Sequence, residues 1–189
     1  MKKILIVFIP LIALNACVPA AFVAGATAGG AVIYDNRPIK TMWQDRNITN
    51  RAQFRISTDK ELKNKTNISV ATFNHIVLLV GQAPTQQLRT RATELIKDIP
   101  HIKRISNQIV IGQPISAAAR SEDAWITTKI KAAMLEKEGL KSTQMKVVTE
   151  NGVAYLMGLT TPSQGKLAAD ITRKIKGVKK VVKLFEYVH

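Results

Sequence analysis

The sequence predicts an α+β fold: two tandem copies of a helix-strand-strand-helix-strand unit, each a three-stranded sheet covered by two helices. Three observations predict it. Residues 68–81 and 145–158 repeat one another at an offset of 77. In each copy two apolar runs flank a short polar turn. Behind each pair of runs, apolar residues recur at helical spacing before a third apolar run.

The elements follow in order. Each unit opens on a helix. In the second unit Ile126, Ile130, Ala133 and Met134 form its apolar stripe; in the first the pattern is weaker, with Ile56 and Leu62 near its end. The hairpin comes next. Val70, Thr72, Asn74, Leu79 and Gly81 match Val147, Thr149, Asn151, Leu156 and Gly158. The turns read Asn74-His75 and Asn151-Gly152. Asn-Gly between alternating runs is a hairpin signal because both residues tolerate positive φ. A second helix carries Ala92, Leu95 and Ile99 in one copy and Ala168, Ile171 and Ile175 in the other, and Pro100 and Gly177 mark the stops. Ile102, Ile105, Ile109 and Ile111 match Val178, Val181, Phe185 and Tyr187 in the third strand. A unit of this size is marginally stable alone, so the two are expected to pack together.

The N-terminus bears on the compartment. Lys2 and Lys3 precede an unbroken apolar run from Ile4 to Leu14, the length of a signal-peptide core and too short to span a bilayer. Leu14-Asn15-Ala16-Cys17 then forms a lipobox. The single cysteine of the chain stands where diacylglycerol transfer needs a thiolate. Lipidation of Cys17 consumes that thiol, so no disulfide is expected. Several acyl chains on one cysteine give a stable anchor. Val18, not Asp, follows the cysteine and points to the outer membrane, with the folded part facing the periplasm. Residues 18–33 are uncharged and rich in Gly and Ala. They read either as a tether or as a small-residue helix with Gly25 and Gly29 on one side. The expected organisation is a signal peptide over 1–16, the lipidated cysteine and tether over 17–45, domains over 46–112 and 122–189, and a linker over 113–121.

At these residues the chain resembles the BON-domain family. Leu79-Val80-Gly81 and Leu156-Met157-Gly158 end the hairpins, and Gly177-Val178-Lys179-Lys180-Val181 opens the closing strand. The first copy departs there, with His101 in place of the glycine. Val77-Leu78-Leu79-Val80-Gly81-Gln82, Gly112-Gln113-Pro114-Ile115, Trp125-Ile126-Thr127-Thr128-Lys129, Thr149-Glu150-Asn151-Gly152 and Asp35-Asn36-Arg37 are similar to stretches of the dual BON-domain outer-membrane lipoproteins. That resemblance implies binding of anionic, phosphatidylglycerol-like membranes, enrichment at division sites and support of outer-membrane integrity. It also implies that the first helix of the second domain, starting near Asp123, touches lipid.

The residues of that helix carry the same idea physically. Trp125 lies about 100° off the Ile126-Ile130-Met134 stripe and shares a side with Lys129. Thr128, Lys131 and Leu135 lie on the exposed side. An indole favours the membrane-water interface, and each nearby lysine contributes about 1 kcal/mol at an anionic surface. The plainer alternative places Trp125 in the core or in an interdomain seam, with Lys129 and Lys131 merely solvated. Lys174, Lys176, Lys179, Lys180 and Lys183 either extend the basic surface or serve solubility.

The formal charge is +15, but a secreted chain gives no reason to read that charge as nucleic-acid binding. Residues 46–112 carry 11 Lys/Arg against 4 Asp/Glu and residues 121–189 carry 12 against 7, so net charge does not choose a domain. No enzyme, metal or cofactor is expected: His75, His101 and His189 stand alone, and no phosphate loop or zinc motif occurs. The competing expectation is a protein-protein adaptor docking on the outer-membrane assembly machinery or a peptidoglycan-remodelling complex. A membrane-damaging toxin is opposed by the lack of a long amphipathic segment outside residues 18–33.

Overall fold

The computed structural model describes residues 37–188, which belong to one compact unit. The signal peptide, Cys17, the 18–33 segment and His189 lie outside the described residues.

The first domain runs α1 (Ile39–Thr58), β1 (Asn67–Phe73), β2 (Ile76–Ala83), α2 (Gln86–Glu94), β3 (Arg104–Asn107) and β4 (Val110–Ile111). The second runs α3 (Ala117–Glu136), β5 (Met145–Glu150), β6 (Val153–Thr160), α4 (Pro162–Arg173) and β7 (Lys180–Tyr187). In each sheet the hairpin is antiparallel and the returning strand lies parallel to the central one: β3 and β4 beside β2, β7 beside β6. A helix must cross over to give parallel neighbours, and α2 and α4 do so. The turn residues Asn74, His75, Asn151 and Gly152 all have positive φ, of 49°, 67°, 49° and 76°. His101, which replaces the glycine of the second copy, has φ 72° where Gly177 has 101°. The backbone conformation is kept while the residue type changes.

Capping explains several helix starts. The Thr85 and Thr161 hydroxyls accept from the Leu88 and Gln164 N–H groups, and Ser116 accepts from Ala119. Pro162 suits the first helical position of α4 because it has no N–H to orphan.

Five expectations need correction. α1 ends at Thr58, so Leu62 fills the core from the turn that follows and not from the helix. Residues 39–45 are the first turns of α1, not tether: the stretch after Pro38 contains no breaker. α3 opens at Ala117 inside the expected linker, because Ser116 caps a run of three alanines, the best helix former. The second helices end at Glu94 and Arg173, so Ile99 and Ile175 fill the core from the turns that follow. The third strand of the first domain breaks at Gln108 and Ile109, and buried Ile109 joins the helical side of the core.

Both faces of each sheet are covered. Ile48, Ala52 and Ile56 of α1 and Ala92 of α2 pack on Ile68, Val70, Val77 and Leu79. Ile126, Ile130 and Met134 of α3 pack on Val147, Leu156 and Phe185. The opposite faces meet each other: Ala71, Phe73, Ile76, Leu78 and Val80 pack against Val148, Tyr155 and Met157. The result is a four-layer stack, helices-sheet-sheet-helices, and the expected packing of the two domains is its central seam. Polar groups frame the seam. Gln82 donates to Glu150 at 2.6 Å, Asn74 to Glu186 at 2.5 Å, and the Lys146 ammonium to the Thr72 carbonyl at 3.1 Å. Burial pushes the Lys146 amine down to about 8 and the Glu150 carboxyl up.

Candidate functional site

A matched pair of clamps sets how each first helix sits on its sheet. α1 presents Asp45, Ile48, Ala52 and Ile56 to the core, and α3 presents Asp123, Ile126, Ile130 and Met134 at the same spacing. In each stripe the leading residue is a buried carboxylate. Asp45 accepts the backbone N–H groups of Asn74 and His75, each at 2.8 Å. Asp123 accepts those of Asn151 at 2.6 Å and Gly152 at 2.8 Å. The hairpin turn thus hands its two orphan donors to a helix side chain. Thr127 reinforces the joint, its hydroxyl lying 2.9 Å from the Asp123 carbonyl and 2.8 Å from the Thr149 hydroxyl; Thr49 repeats this with Asp45 and Thr72. Sequence reading took Asp123 only as a helix start and gave Asp45 no role. The signal was there: an acid heading an otherwise apolar stripe, twice, at one offset.

With the inner stripe committed to the core, the rest of α3 faces outward. Trp125 is 62% exposed and Leu135 70% exposed. Thr128 and Lys131 are exposed as well, and Ala124 and Ala132 leave low ground between them. Trp125 and Leu135 stand about 15 Å apart along the helix. The alternative that buries Trp125 in the core or the seam is excluded by this exposure. Lys129 and Lys131 lie on opposite flanks. The Lys129 ammonium donates to the Lys176 carbonyl at 2.9 Å, 6.0 Å from the Trp125 ring centre. That bond joins α3 to the turn after α4, where Lys174, Lys176, Lys179 and Lys180 are exposed. Lys129 is therefore a half-buried bracket between Trp125 and this basic turn, not a free lysine on the same open side. Lys131 lies on the seam side, close enough for its charge to add to the lowering of the Lys146 amine. Glu122 and Glu136 are also exposed on α3, so its cationic character comes mainly from the α4–β7 turn.

No group of three His, Cys, Asp or Glu side chains suited to a metal ion occurs among the described residues, and no described helix is long and apolar enough to cross a membrane. What the arrangement offers is a convex helix face: one exposed indole, one exposed leucine and a basic rim.

Comparison with known proteins bears on the same residues. The chain matches the BON domain over residues 44–113 and 122–188. It is 35% identical over 188 residues to the outer membrane lipoprotein DolP of Haemophilus influenzae, spanning 100% of this chain and 97% of that one. It is 38% identical over 154 residues to the 21 kDa hemolysin of Actinobacillus pleuropneumoniae, covering 82% and 79% of the two chains. It is 25% identical over 158 residues to the osmotically-inducible protein Y of Escherichia coli, covering 82% and 78%.

Proposed function

This chain belongs to the BON-domain family, in its outer-membrane lipoprotein branch, and from that premise we propose that it reads anionic phospholipid through the outward face of α3 and so supports outer-membrane integrity at division sites. Cys17 carries the acyl anchor in this reading, and the folded part faces the periplasm. The observation that carries it is the exposed Trp125 beside the Lys129–Lys176 bracket. A tryptophan held in water by a helix whose apolar stripe is already spent gains free energy at headgroup depth. The basic turn meets lipid phosphate, each lysine contributing about 1 kcal/mol. Thr128 lies on the same outward arc with Lys131 on its seam-side flank, and Leu135 adds apolar area a few turns along.

Liposome co-sedimentation of residues 35–189 tests this. Vesicles containing phosphatidylglycerol are expected to bind the wild type and purely zwitterionic vesicles to leave it in the supernatant, with binding weakening as salt rises. Trp125→Ala combined with Lys129→Ala is expected to weaken binding by roughly 100-fold, from about 3 kcal/mol of lost contact. Unchanged thermal unfolding in that variant would assign the loss to the surface. Equal pelleting of wild type and variant would remove α3 from the account.

A second reading rests on a different observation. β4 lies at the edge of its sheet with Val110 and Ile111 exposed, and an unpaired edge can add a strand from a protein partner such as a component of the outer-membrane assembly machinery. Failure of the vesicle experiment would bring this reading forward.

A further inference from the structure

The two tryptophans of the chain are both on the surface, and the second is on the far side of the molecule from the α3 site. α1 buries Asp45, Ile48, Ala52 and Ile56, which leaves an outward stripe of Trp43, Asn47, Asn50 and Phe54 at spacings of four, three and four residues. Trp43 is 62% and Phe54 68% exposed, and they stand about 16 Å apart along the helix. Ile39 extends the same arc by one turn. Lys40, Arg46 and Arg51 flank the stripe on both sides, and none pairs with an acid among the described residues. The one acidic residue of α1 is Asp45, which is buried in its clamp.

We propose that this outward face of α1 is a second lipid-contacting surface, addressed to an anionic bilayer. Charge complementarity chooses the occupant. The face offers aromatic rings suited to headgroup depth, cations on either side and no exposed carboxylate to repel phosphate, whereas the exposed surface of α3 carries Glu122 near its tryptophan and Glu136 near its end. α1 is the first described helix after Cys17, about 20 residues on, so a membrane-held cysteine keeps this face within about 75 Å of lipid even when the connection is fully extended. In the four-layer stack α1 and α3 belong to opposite outer layers. One flat bilayer therefore receives one face at a time, and the two faces alternate on a single surface or hold two surfaces together. The inference does not depend on the α3 reading.

Two tryptophans, one per face, make the test direct. The full chain carrying Trp125→Phe is reconstituted in vesicles of phosphatidylglycerol and phosphatidylcholine, with and without bromine on the acyl chains, so that Trp43 is the sole indole. Blue-shifted emission and loss of intensity with brominated lipid are the expected results, both reversed when Lys40, Arg46 and Arg51 are changed together to Gln. Trp43→Phe reports Trp125 in the same way. Water-like, unquenched Trp43 emission overturns the proposal, and quenching of Trp125 alone overturns it while leaving the α3 reading standing. Unquenched Trp43 in a chain whose dimerisation is abolished by Phe54→Ser overturns it too, and assigns the face to self-association.

Discussion

Asp123→Ala is expected to lower the unfolding free energy by about 3–5 kcal/mol, since two hydrogen bonds to a charged acceptor are lost and two donors stay dry. The Asn151 and Gly152 N–H groups point at the carboxylate from a turn whose residues both have positive φ. Asp123 is 6% exposed, and water has little room to replace it. The same change frees the start of α3 to slide on β5 and β6. Urea unfolding gives the magnitude, and hydrogen exchange at residues 145–158 gives the location. Asp123→Asn keeps one carbonyl acceptor while its amide group faces the second donor, so about 2 kcal/mol is expected there. A cost below about 1 kcal/mol for the alanine variant would show that the clamp is ornamental. Asp45→Ala repeats the experiment in the first domain, where Arg37 also pairs with the carboxylate at 2.5 Å.

Gly81→Ala is expected to be about as damaging, at about 3 kcal/mol or more, and Gly158→Ala much milder. The two glycines occupy matching places, each opposite the first half of its hairpin, yet their surroundings differ. Gly81 has φ +121°, and a Cβ there would lie 1.8 Å from the Asn67 carbonyl oxygen. No side-chain adjustment relieves that clash, because the obstacle is the backbone of the neighbouring strand. At Gly158 the nearest atom is the Gln144 carbonyl oxygen at 3.0 Å and φ is not in the left-handed range, so a shift of a few tenths of an ångström suffices, at about 1–2 kcal/mol. Paired urea titrations of the two variants read this difference. Equal losses would mean that the glycine is kept for pairing alone and not for the crowding specific to the first copy.

The features that repeat were legible in the sequence, because a repeat states each constraint twice. Asn74-His75 and Asn151-Gly152 fixed the hairpins, while the Ile126-Ile130-Met134 stripe left Trp125 open between the exposed face and the core or seam until the structure showed it exposed. The unbroken run Ile76-Val77-Leu78-Leu79-Val80 also held more than a strand assignment: apolar residues on both faces mean a sheet buried on both sides, which is the seam between the domains. Other features depend on tertiary context. α1 has a weak apolar pattern, since its inner stripe contains an aspartate and an alanine, and its first turns resemble linker until Asp45 is seen under the hairpin. Lys129 looks solvent-directed by helical angle, but its four-carbon stem reaches the Lys176 carbonyl on a segment far along the chain. Trp43 and Phe54 stand eleven residues apart in the sequence, and only the helix brings them onto one line.

Paramagnetic broadening of amide signals by spin-labelled lipid tests the lipid reading of α3 most directly. Residues 35–189 are added to phosphatidylglycerol-containing bicelles with a label at headgroup depth, and intensities are compared with the label reduced. The account predicts strong loss at amides 124–135 and at the turn after α4, with the seam strands β2 and β6 retaining their intensity. Full intensity across α3, with loss confined to the β4 edge or spread evenly over the chain, would contradict it.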